Sequence, residues 1–214
     1  MNELIIWGRA TSSNVQAVMW TVAELGLDYI RHNVGGAFGG TDTAEFRAMN
    51  PMGLVPVLQD GDLEMFESAA IVRYLGAQYG SEVFWPSDPK TRARSDMIAE
   101  WAKHAIYRSL TLDVFWQLVR TPSAQRDPNV IERGKNELAR LLPMAGSWLG
   151  DKAYLGGDDI CFADIIFGHF LYRYYALDFE RSDTPTLDVY YERLTNRLAY
   201  AEHVMVDYSP LQVD

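Results

Sequence analysis

The chain has 214 residues, 48% hydrophobic and 22% charged, with 16 glycines and 9 prolines, which is the composition of an ordinary globular protein of one or two domains. Nineteen Lys and Arg against 29 Asp and Glu leave a net charge of −10, a field that repels phosphate backbones and excludes a general nucleic-acid binder. A single cysteine, Cys161, excludes an internal disulfide, and no Cys/His clustering provides a metal site, so no metal is expected and a reducing, cytoplasmic setting fits. The N-terminus lacks a basic leader, and no stretch approaches the ~20 apolar residues of a membrane span, so no membrane partner is expected.

Leu4 to Trp7 is short, apolar and partly β-branched, and the polar cluster Arg9 to Asn14 follows it, which predicts a buried strand and a turn. Val15, Val18, Met19, Val22 and Leu25 recur at helical spacing, and Gly26 supplies a stop. Tyr29 to Val34 reads as a second strand, completing a parallel strand–helix–strand unit. The run Gly35-Gly36-Ala37-Phe38-Gly39-Gly40 has neither a Gly-Lys-Ser/Thr ending nor a dinucleotide fingerprint, and reads as a loop.

Asn50-Pro51-Met52-Gly53 is turn chemistry, and the strand Val55-Pro56-Val57-Leu58 carries an internal proline, which marks an edge or a cis bend. A hairpin over Gln59 to Asp62 leads to a fourth strand with Leu63, Met65 and Phe66, after which Glu67-Ser68 opens a helix carrying Ile71, Tyr74 and Leu75. Ser81 to Lys90, with Pro86 and Pro89, reads as a linker, and helical periodicity continues from there to the end. One long helix holds Trp101, His104, Ile106 and Tyr107; another carries a stripe of Leu187, Tyr190, Tyr191, Leu194 and Leu198. The expected architecture is α/β plus all-α, with domains at 1–80 and 91–214 joined by a linker at 81–90.

Three motifs in this order resemble the glutathione S-transferase family, with theta-like and nu-like features. They are Thr11-Ser12-Ser13-Asn14 leading to Glu24-Leu25-Gly26-Leu27, then Asn50-Pro51-Met52-Gly53-Leu54-Val55-Pro56, then Glu67-Ser68-Ala69-Ala70-Ile71-Val72-Arg73-Tyr74-Leu75. A fourth match is Cys161-Phe162-Ala163-Asp164, where the family has a Ser/Thr-x-x-Asp capping box. The resemblance implies a thioredoxin-like domain followed by a helical-bundle domain, a cytoplasmic homodimer, and glutathione as co-substrate with a small hydrophobic electrophile.

By that resemblance Ser12 or Asn14, with Ser13 nearby, contacts the glutathione sulfur. A helix N-terminus and one or two donors lower a thiol pKa of about 8.5 enough to yield the attacking thiolate. Pro56 is the cis-proline, Val55 offers its main chain to the cysteinyl unit, and Glu67 and Ser68 hold the γ-glutamyl end. Trp101, His104, Tyr107, Phe115 and Trp116 supply candidates for an electrophile pocket, although such stripes also build cores and interfaces. Leu54 stands where many members have a lysine, which leaves the Gly35 to Thr41 loop as the candidate for the glycyl end. Cys161 in place of the capping hydroxyl implies a weaker helix start and a buried packing thiol. Peroxide or disulfide reduction, or a non-catalytic binding module, are the alternative functions; a serine hydrolase is not, since no G-x-S-x-G segment is present.

Overall fold

A computed structural model describes residues 3–213. The first half contains β1 (Leu4–Trp7), α1 (Ser13–Glu24), β2 (Tyr29–His32), α2 (Ala44–Met49), β3 (Val57–Asp60), β4 (Leu63–Phe66) and α3 (Ser68–Tyr79). The strands form one sheet in the order β2-β1-β3-β4; β1 runs parallel to β2 and antiparallel to β3, and β4 is antiparallel to β3. Alternation in β1 sends Leu4 and Ile6 into a core with Val15, Val18, Met19 and Val22 of α1, Leu58 of β3, and Ile71 and Leu75 of α3. Each such side chain removed from water contributes roughly 1.5–3 kcal/mol.

The third strand begins at Val57, two residues later than the sequence suggests. Pro56 has no N–H to pair, and the Val55–Pro56 peptide is cis, as expected, so ladder pairing starts where Val57 meets Trp7 and Phe66. The second strand stops at His32, short of Val34. Helix α2 was not legible: it has a single buried anchor, Phe46, and starts where Thr43 accepts a hydrogen bond from the Phe46 N–H (3.2 Å).

The helical half comprises α4 (Pro89–Trp101), a π-helical stretch (Ala102–Phe115), α5 (Trp116–Val119), α6 (Pro128–Leu149), α7 (Phe162–Gly168), α8 (Leu171–Ala176), α9 (Pro185–Thr195) and α10 (Leu198–His203). The expected stripe on α9 is cut short. The helix ends at Thr195, and Leu198 starts the next helix fully on the surface, whereas Leu187, Tyr190 and Leu194 are buried.

The start of α7 is tighter than a cysteine cap implies. The buried Asp164 carboxylate accepts from the N–H groups of Leu155 (2.8 Å) and Cys161 (2.9 Å) and from the Tyr190 hydroxyl (2.8 Å), completing a capping box from the acidic side. Cys161 is buried, and desolvation pushes its thiol up, away from reactivity.

The two halves share the far faces of α1 and α3. Ala17, Trp20, Ala69 and Val72 belong to the helical core, and Gly168 admits the Trp20 ring, since a Cβ there would lie 3.0 Å from it. Arg197 locks the arrangement with a two-pronged pair to Glu24 (2.6 and 2.7 Å).

Candidate functional site

The turn after β1 is tied to the edge of the sheet by Gly8 N–H to His32 O (2.8 Å) and Arg9 N–H to Val34 O (3.1 Å). Ser12 occupies the N-cap position of α1 with extended backbone, and its carbonyl accepts from Gln16 N–H (2.9 Å). Its hydroxyl makes no capping bond. Ser12, Ser13 and Asn14 instead line a cavity between the two halves, so the hydroxyl at the positive end of α1 remains uncommitted.

A second recess adjoins it, lined by Asn14, Asn50, Leu54, Val55, Pro56, Glu67, Ser68 and Lys103. Glu67 starts α3 in the left-handed region at φ 71°, the one positive φ outside glycine among the described residues. Buried Ser68 donates to Asn14 Oδ1 (3.2 Å), and the Lys103 ammonium donates to Asn14 Oδ1 (2.8 Å) and Ser68 Oγ (3.0 Å). Lys103 also lies over the Tyr107 ring, 5.4 Å from its centre. Burial lowers its pKa, and the carboxylates of Glu67 and Glu100 oppose that fall.

Sequence reasoning missed Lys103. The signal was its position four residues before Tyr107, but α-helical spacing misassigns faces here. In the π-helical stretch Ala102, Ile106, Leu110 and Val114 are all buried, and Tyr107, Thr111 and Phe115 reach the cavity, a repeat of four residues rather than 3.6.

Main-chain recognition is available at Val55. Neither its N–H nor its C=O is hydrogen-bonded among the described residues. Buried Asn50 fixes the preceding loop, donating to Leu54 O (2.7 Å) and accepting from Met52 N–H (3.0 Å). Leu54 itself is exposed.

The Gly35 to Thr41 loop borders the cavity but spends N–H groups internally: Gly35 donates to Gly39 O (2.7 Å), Phe38 to Gly35 O (3.3 Å) and Gly39 to Gly36 O (3.1 Å). Its positive-φ Gly36 lies flat on Arg9, where a Cβ would sit a tight 3.0 Å from Arg9 Nε.

Arg9 is one of three arginines in the cavity wall, with Arg120 and Arg173. Buried Arg173 donates to Thr11 O (2.8 Å) and places its guanidinium 4.0 Å from the centre of the Phe115 ring; Arg120 lies 5.1 Å from the centre of Trp116. Desolvation, reinforced by Arg9 and Arg120, lowers the Arg173 pKa to about 10. Desolvation and Arg120 lower that of Arg9 in the same way.

Of the expected electrophile residues, Tyr107, Phe115 and Trp116 line this cavity. Trp101 and His104 are not brought to it. Trp101 packs edge-on against Trp148 in the helical core, and His104 is exposed beside Glu100 (3.3 Å).

The sequence profile described as the glutathione S-transferase N-terminal domain matches residues 2–77, and that of the C-terminal domain matches residues 107–197. The chain is 36% identical to glutathione S-transferase GstB of Escherichia coli K12, over 96% of this chain and 100% of that protein. It is 28% identical to a probable glutathione S-transferase of rice, covering 92% and 93% of the two chains. Among solved structures it resembles a theta-class glutathione S-transferase from Xanthomonas axonopodis pv. citri with glutathione bound, with TM-score 0.90, 42% identity, and 97% and 99% of the chains covered.

Proposed function

The chain belongs to the glutathione S-transferase family and acts as a glutathione transferase, and we propose that the Ser12 hydroxyl is the group that holds the glutathione sulfur as a thiolate. The observation that carries this reading is the Ser12 side chain itself: at the N-terminus of α1, facing the cavity, and free of any capping bond. One charge-assisted hydrogen bond together with the helix N-terminus favours the anion, and no general base is needed.

In the same reading Val55, ahead of cis Pro56, pairs its unbonded N–H and C=O with the cysteinyl unit as a strand neighbour does. Glu67 receives the γ-glutamyl ammonium, and Ser68 with Lys103 receives its carboxylate. Asn14 Oδ1 accepts from Ser68 and Lys103, which ties that side chain to the γ-glutamyl end in this reading; the reductase alternative is the one in which its Nδ2 amide, rather than Ser12, donates to the sulfur. Ser13, nearly buried beside Ser12, contributes its backbone to the helix start. The electrophile lies against Tyr107, Phe115 and Trp116, and the thiolate attacks its carbon.

The glutathione-binding domain runs to residue 80 and the helical domain opens with α4 at Pro89, two residues before the expected 91, which leaves 81–88 as the linker, in a cytoplasmic homodimer. No helix among the described residues is long and apolar enough to cross a membrane. Retention on immobilised glutathione followed by a conjugation assay with a chlorodinitroarene tests the reading. Retention and turnover support it; retention with no turnover of any electrophile makes the protein a binding module.

A further inference from the structure

The electrophile wall is not simply apolar. A chain with a net charge of −10 has gathered Arg9, Arg120 and Arg173 around one cavity, and among the described residues, which end at Val213, none of the three is in an ion pair. Other arginines here do find acids: Arg73 pairs with Asp96 and Glu100, Arg133 with Asp113, and Arg197 with Glu24. Arg173 is only 4% exposed, and Arg9 Nε is buried with no hydrogen-bond partner among the described residues. Holding buried Arg173 and half-buried Arg9 without a counter-charge, with Arg120 beside them at the exposed rim, is costly unless an anion joins them.

We propose that this cavity takes an electrophile bearing a carboxylate, held by Arg9, Arg120 and Arg173 while its apolar body lies on Tyr107, Phe115 and Trp116. The inference rests on the transferase reading and adds the substrate class to it. Two of the cations are held before the ligand arrives, Arg173 by Thr11 O and the Phe115 ring and Arg9 by the flat backbone of Gly36, and Arg120 stands at the exposed rim beside Trp116. The carboxylate then meets preformed donors and pays little ordering entropy. Burial first, and the neighbouring guanidiniums second, lower the pKa of Arg9 and Arg173, and a bound carboxylate offsets both.

The test is a matched pair, 4-chloro-3,5-dinitrobenzoate and its carboxamide. In both, the glutathione thiolate adds to the ring carbon bearing chlorine, a C–S bond forms, and chloride leaves with the C–Cl electron pair; the thiol proton has already gone to solvent. Each kcat/KM is divided by the uncatalysed rate constant with glutathione, since the carboxamide activates the ring more strongly. The carboxylate form is expected to be preferred about 10- to 100-fold, the range of one or two hydrogen bonds between charged groups. That preference should shrink in Arg9→Gln and Arg120→Gln and in high salt.

Equal normalised values for the two forms overturn the proposal. So does a rise in the KM for glutathione in Arg9→Gln and Arg120→Gln with the preference intact, since the arginines then hold the glycyl carboxylate of glutathione. Calorimetric binding of unreactive 3,5-dinitrobenzoate against 3,5-dinitrobenzamide, with glutathione present, separates the two levels. A lack of turnover with both electrophiles counts against the transferase reading, whereas indifference to the carboxylate in binding counts against this inference.

Discussion

Lys103→Met removes a cation from the glutathione recess while retaining an unbranched, apolar stem. In the unliganded protein the ammonium donates to Asn14 Oδ1 (2.8 Å) and Ser68 Oγ (3.0 Å), and those two acceptors also bond each other. The polar pair therefore keeps a partner when the lysine is lost, and the deficit falls on the bound peptide. A carboxylate ~4 Å from the ammonium gains about 4 kcal/mol at an effective dielectric constant of ~20. Desolvation takes part of that back, leaving ~1.5–3 kcal/mol, the usual worth of a hydrogen bond to a charged group. Glutathione affinity is thus expected to fall about 10- to 150-fold. Titration calorimetry with glutathione, and with the analogue whose γ-glutamyl α-carboxylate is an amide, measures it. The wild type should discriminate strongly between the two peptides and Lys103→Met weakly. An unchanged glutathione affinity, or an equal loss for both peptides, would refute the assignment and leave Lys103 as a packing residue.

Further expectations concern stability. Asp164→Ala strips the partner from the Leu155 and Cys161 N–H groups and the Tyr190 hydroxyl inside the core, and should cost about 3–5 kcal/mol in urea unfolding; a loss below ~1 kcal/mol would contradict the capping account. His169 is buried, with Nδ1 on Ile165 O (3.0 Å), and desolvation lowers its pKa from 6.5 to about 3. The unfolded chain takes up this proton below pH ~6.5 and the folded chain does not, so stability falls with pH down to about 3, by roughly 1.4 kcal/mol per unit. Between pH 6.5 and 5 that is about 2 kcal/mol, and in His169→Gln the decline over the same range should be smaller by this amount, as followed by denaturant melts.

Legibility in the sequence followed the range of the interactions concerned. The alternating Leu4 and Ile6 and the α1 stripe are local patterns with a period of two or 3.6 residues, and they reappear as one core. The Val55–Pro56 bend was legible because proline acts within a few residues, and the α3 start at Ser68 fell where the sequence put it although Glu67 makes no side-chain capping bond. The π-helical stretch was not, because its four-residue repeat places Lys103, Tyr107, Thr111 and Phe115 where an α-helical reading does not. Within that stretch His104 turns to solvent, and Trp101, which ends α4 just before it, packs against the helical core. The arginine cluster lay further out of reach: Arg173 meets Thr11 across 162 positions of chain, and no local spacing encodes that meeting. Cys161 misled through its own side chain, since Asp164 three residues on carries the cap.

Ultraviolet titration of bound glutathione, following thiolate absorbance against pH in the wild type, Ser12→Ala and Asn14→Ala, bears most directly on the central assignment. Two units of thiol pKa depression need only about 2.7 kcal/mol, and removing one charge-assisted donor should return about one unit, roughly a threefold loss of thiolate near pH 7. The expected result is a depressed thiol pKa in the wild type that rises in Ser12→Ala with glutathione affinity nearly kept, and a loss of affinity rather than a pKa rise in Asn14→Ala. A thiol pKa that is unshifted in the wild type, or unaffected by Ser12→Ala, would contradict the account.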